Sequence, residues 1–279
     1  MKHLAGLLHL LKQQERSSLT DLSSFCVEYF LFHFVLARTV FCIKDLESVL
    51  INTSACQEAG DDLLYSTDGL QTTYPESSFQ VQGLDSKSSL NRALQVTGVL
   101  SSWMIKSALD AVNTYSGLSN SLLLLINRIT DLKTPSSKTD LAELGREVSI
   151  LRTALESLDQ RVPRDLDPIT SSQVSISAEV YRLASLLFLH QKISLICGRV
   201  PFRTNALRPQ FSDSEIYDLV CHVLEHLEKN PNLTKTASIP LWPLFIVGCS
   251  VDDEFLRTRV LKIFHRTETL KRFGVSTWT

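Results

Sequence analysis

Apolar residues along this chain recur every three or four positions almost throughout, and no stretch of six or more alternates in the manner of a strand. That pattern predicts an all-α protein, an irregular multi-helix array. Helices are expected over residues 2–14 and from Thr20 and Asp21, whose short side chains can cap free amides, to about residue 43. Others are expected over 90–112, 119–133, 140–159, 177–197, 212–229, 242–249 and 253–272. Residues 122–126 are all apolar, which predicts burial on most sides. Leu141, Leu144, Val148, Leu151, Leu155 and Leu158 step by three and four, the period of a coiled-coil seam.

Punctuation follows from residue type. Ser212 and Glu215 have capping-box spacing, and Pro231 lies past the end of that helix. Pro163 and Pro168 are read as bounding a loop, and Gly198 as a left-handed residue closing a helix. Residues 52–89 mix Gly60, Gly69, Gly83 and Pro75 with Ser, Thr and acids, which predicts a long irregular insertion within one domain spanning 1–279.

Composition narrows the classes. Of 279 residues, 44% are apolar and 21% charged, as in ordinary globular proteins. Lys and Arg number 28 against 30 Asp and Glu, so no excess positive charge is present to hold a phosphate backbone. Direct DNA binding by this chain alone is therefore not expected. The longest apolar run, 25–43, contains Glu28, His33 and Arg38, which argues against a membrane span. The six cysteines lie 14 or more residues apart and are read as reduced core residues rather than a zinc or redox motif.

Candidate chemistry resolves to ordinary roles. His222 and His226 have the four-residue spacing that can hold a metal, but share the polar helix face with Asp218, Glu225 and Lys229. Asp61-Asp62-Leu63-Leu64-Tyr65 is similar to the magnesium-binding box of isoprenoid synthases, with Tyr65 where a third carboxylate is needed. Asp252-Asp253-Glu254 sits at a helix start, where acids complement the dipole. His33 and His190 are read as hydrogen-bonded core residues. Arg257, Arg259, Lys262, Arg266, Lys271 and Arg272 make the last helix basic, with bases late, as the dipole favours. Neither a Gly-x-Ser-x-Gly elbow nor a phosphate loop occurs. We expect no catalytic, cofactor-binding or metal-ligating residues, no cofactor and no enzyme activity.

Four segments carry a resemblance. They are Trp242-Pro243-Leu244-Phe245-Ile246-Val247-Gly248-Cys249 with Arg257 and Val260; Tyr181-Arg182-Leu183-Ala184-Ser185-Leu186-Leu187-Phe188-Leu189-His190; Tyr115-Ser116-Gly117-Leu118-Ser119 with the helix after it; and His3-Leu4-Ala5-Gly6 with Tyr29-Phe30-Leu31-Phe32-His33. In order and spacing they resemble the fungal-specific transcription factor domain, which accompanies zinc binuclear cluster DNA-binding modules. Residues 53–110 match nothing in it.

The resemblance implies a helical regulatory domain of a nuclear transcription factor. It also implies partners among the proteins of the transcription machinery, or a second copy of the chain, and a small-molecule effector as a further candidate. The six clustered cysteines of the DNA-binding module are absent from this sequence. The match starts in what looks like the interior of the family domain and stops soon after the tryptophan-proline segment, so an incomplete domain is expected. In it Trp242 and Phe245 are expected to pin a helix turn against its neighbours. The alternative is a stand-alone helical interaction protein that dimerises through the seam from Leu141 to Leu158.

Overall fold

The fold comes from a computed structural model, which describes residues 21–40, 109–198, 211–235 and 240–275. Among them are seven α-helices: α1 (Asp21–Val40), α2 (Asn120–Asp131), α3 (Lys138–Glu156), α4 (Pro168–Cys197), α5 (Asp213–Lys229), α6 (Leu241–Cys249) and α7 (Glu254–Val275). A 3-10 turn, Pro231–Lys235, follows α5, and the only other regular pairing among these residues is two isolated bridges. The array is all-α. The expected helix at 2–14, the insertion at 52–89, Asp61, Asp62, Tyr65, Cys42 and Cys56 lie outside the described residues.

Local chemistry places the starts. Ser119 Oγ accepts from Leu122 N at 3.2 Å to open α2. Ser137 with Asp140 and Ser212 with Glu215 form reciprocal capping boxes at α3 and α5. Hydrogen bonds from the Ser136 and Ser137 hydroxyls hold the Asp140 carboxyl below its ordinary pKa.

Three expectations are corrected. α4 begins at Pro168, nine residues before the expected start at Ser177. Asp167 Oδ1 accepts from Ile169 N and Thr170 N at 3.0 and 3.1 Å, and proline fits a first turn, so Pro168 opens the helix instead of ending a loop. Gly198 closes α4 at φ −65°, right-handed; the left-handed glycine is Gly117, at φ 73°. Residues 109–112, placed at the end of a helix by their spacing, form a turn and bridges instead: Val112 N donates to Arg161 O at 2.8 Å, and Arg161 N to Asp110 O at 2.7 Å.

α4, 30 residues and about 45 Å long, is the axis of the array and packs against α2, α3, α5 and α6. Leu122 to Ile126 of α2 are buried, as their unbroken apolar run predicts. The seam of α3 is buried too, from Leu141 through Leu144, Val148, Leu151 and Leu155 to Leu158, and α3 lies against α2 and α4 of the same chain. Three-and-four spacing fits any helix packed along one stripe, so the seam serves the core.

Candidate functional site

The described parts of the recognised segments meet around α1, α4 and α6, whereas His3 to Gly6 lie outside the described residues. Trp242, in the first turn of α6, is buried; its ring stacks on Tyr181 at 6.0 Å with planes 6° apart and meets Phe188 edge-on at 5.8 Å. Its indole Nε1 donates to Thr39 Oγ1 of α1 at 2.8 Å, so one side chain joins three helices and leaves no polar atom unpaired. Pro243 follows inside the same first turn, where an amide hydrogen has no helical acceptor. Phe245 departs from expectation: it lies 42% exposed, because positions 241, 245 and 249 fall on the face of α6 turned away from the core, and Trp242 alone pins the turn.

The segment Tyr115 to Ser119 is a turn that docks α1. Asn113 Oδ1 accepts from Tyr115 N and Ser116 N at 2.8 and 3.0 Å, and Gly117 N returns to Asn113 O at 2.8 Å. The positive φ of Gly117 makes that reversal cheap. Asn113 Nδ2 then donates to Glu28 of α1 at 2.6 Å. Glu28, Tyr29, Phe32, Asn113 and Tyr115 line a niche whose interior is about 10 Å³, room for one water.

Burial raises the Glu28 pKa against the lowering effect of Asn113, and raises that of Tyr115 with Tyr29 adding to it. His33 packs 4.3 Å from Tyr29 and 5.1 Å from Phe32. Its Nε2 is buried with no protein partner, contrary to the expected hydrogen-bonded histidine, and burial lowers its pKa. His190 is half-buried, and burial outweighs the raising effect of Asp213 on its pKa; its Nε2 lies 3.4 Å from Ser194 Oγ.

Four helices end on side chains from their neighbours. Lys192 Nζ donates to Thr130 O of α2 at 3.0 Å, Arg182 to Leu155 O of α3 at 3.1 Å, and Arg266 to Leu227 O of α5 at 2.8 Å. Gln191 donates to Ile246 O of α6 at 2.8 Å. The last carbonyls of a helix lack internal donors and carry the negative end of its dipole, so cations suit them. Ion pairs add lateral ties. Arg38 bonds Asn127 and, at 2.6 Å, Asp131; Arg128 meets Glu147 at 2.6 Å; Arg152 reaches Glu215 at 2.8 Å over the Phe211 ring.

The remaining candidates fall where capping and solvation put them. On α5, His222 is exposed and His226 half-buried, both within electrostatic reach of Glu179 of α4. Asp253 Oδ1 accepts from Leu256 N at 2.9 Å, which caps α7. Arg257 pairs with Glu254 at 2.8 Å, and Arg259 makes a two-pronged pair with Glu228 at 2.9 and 2.7 Å. The cysteine expectation is corrected: Cys197 and Cys249, each the last residue of its helix, are exposed, and Cys221 is half-buried. Partial burial raises the pKa of the Cys197 and Cys249 thiols, so both stay protonated at neutral pH.

Among the described residues no three His, Cys, Asp or Glu gather to hold a metal, and no helix is long and apolar enough to cross a membrane. Sequence reasoning missed the Glu28–Asn113 latch and the cationic helix ends, whose partners lie 85 and 27 to 62 residues apart. A family model described as a fungal specific transcription factor domain matches residues 1–279. No curated protein and no solved structure matches the chain.

Proposed function

Because this chain belongs to the fungal-specific transcription factor domain family, we propose that residues 1–279 act as one regulatory domain of a transcription regulator. Its role is to bind partner proteins in the nucleus and set transcriptional output, with DNA contact and chemistry left to other polypeptides or modules. The observation that carries this reading is the family match along the whole chain. The site geometry supports it: Trp242, Tyr181 and the turn at Asn113 are spent on helix joints, and the niche beside Glu28 has room for about one water, far short of the ~300 Å³ a small-molecule site needs.

The test tethers the full chain to a heterologous DNA-binding module upstream of a reporter in a fungal host and follows a fluorescent fusion by microscopy. Nuclear signal with a reporter change supports the reading. Exclusion from the nucleus with an unchanged reporter overturns it.

A further inference from the structure

Helices α5 and α7 lie side by side and run in the same sense. Tyr217 is within electrostatic reach of Asp253 and Arg259; farther along, Glu228 holds Arg259, and Leu227 O accepts from Arg266. Their charges are opposite. α5 carries five acids against one lysine, whereas α7 over 254–267 carries Arg257, Arg259, Lys262 and Arg266 against Glu254. Within the chain Glu215 pairs with Arg152, Glu225 with Lys229, Glu228 with Arg259 and Glu254 with Arg257, which leaves Asp213, Asp218 and Lys262 to face a partner. Asp218 and Glu225 on α5, and Thr258 and Lys262 on α7, are exposed. Two large aromatics stand at the border between the strips: Tyr217, 55% exposed, and Phe255, 70% exposed and one turn before Arg259 on its helix face. Together they offer about 250 Å² of aromatic surface.

We infer that this two-helix face is a homodimer interface, in which the acidic α5 of one copy lies on the basic α7 of the other and Tyr217 and Phe255 meet at the two-fold axis. A two-fold operation that carries one strip onto the other turns an acidic and a basic helix into a self-complementary surface. Side by side, helices of about 25 and 33 Å, each about 10 Å across, present a face of about 600 Å², somewhat below the ~800 Å² per partner that a stable dimer of standard size buries. The inference does not depend on the transcriptional reading, and it assigns the second copy a different face from the seam of α3.

The experiment is sedimentation of the full chain and of two charge variants, alone and mixed. Wild type is expected to sediment as a dimer at micromolar concentration, and to dissociate more readily as salt screens the strips. Asp218→Lys with Glu225→Lys, and separately Thr258→Glu with Lys262→Glu, should each weaken self-association about tenfold or more, because like charges then face each other. An equimolar mixture of the two variants should recover the dimer, since each altered strip meets its opposite; that recovery also shows that both variants fold. A monomeric wild type, a dimer indifferent to both variants, or a mixture that stays monomeric overturns the inference.

Discussion

Trp242 shows how much one side chain can hold. Its stacked and edge-on ring contacts and its bond to Thr39 bind α6 to α4 and α1 simultaneously. Trp242→Ala should cost about 3–5 kcal/mol, read by chemical denaturation with helical signal as the probe. Trp242→Phe, which keeps an aromatic face and loses only the indole donor to Thr39 Oγ1, a hydroxyl that still donates to Leu36 O, should cost clearly less. Glu28 works in the opposite direction. Burial raises its folded pKa above the unfolded value near 4.5, so the carboxyl favours folding most below that value, and the contribution is lost as pH rises through the folded pKa. Glu28→Gln, which still accepts from Asn113 without a charge to desolvate, should raise the midpoint of thermal unfolding at neutral pH and leave it unchanged or lower near pH 4. Equal shifts at both pH values would refute the burial argument. Glu179 has the contrary sign: Arg182 lowers its pKa, so its stabilisation is present above 4.5 and fades as pH falls through the lowered value.

At the scale of the element, α3 separates two uses of one pattern. Its six seam residues are 8% exposed or less, shielded by α2 and α4 of the same chain. Substituting Val148→Asp with Leu151→Asp places two carboxylates in that interior, where an unpaired charge costs several kcal/mol. The expected outcome is loss of the cooperative unfolding transition and of most helical signal. A folded monomer from this variant would mean that the seam faces a partner. The helix starts were readable because a serine with an acid three residues on specifies its own hydrogen bonds, as Ser212 and Glu215 do. The start of α4 was misplaced because Pro168 obeys two rules: a proline ends what precedes it and also suits a first turn. Asp167 decides between them by accepting two amides.

For the whole molecule, period and capping were enough to establish the all-α class, six of the seven helices among the described residues to within a few residues, and the buried stripe of α3 and buried run of α2. Those are properties of a helix and its immediate neighbours along the chain, and residue type specifies them. The candidate site was legible in part. The recognised segments named Trp242, Tyr181 and Tyr115, but did not say that Trp242 stacks on Tyr181 across 61 positions or that Asn113 holds Glu28. Nor did they say that Phe245 faces solvent while Trp242 faces inward. Which cation closes which helix, and which acidic helix lies beside which basic one, is set by how the rods pack around α4. Helical period is blind to that choice, because it says which side of a helix is apolar and nothing about which neighbour will cover it.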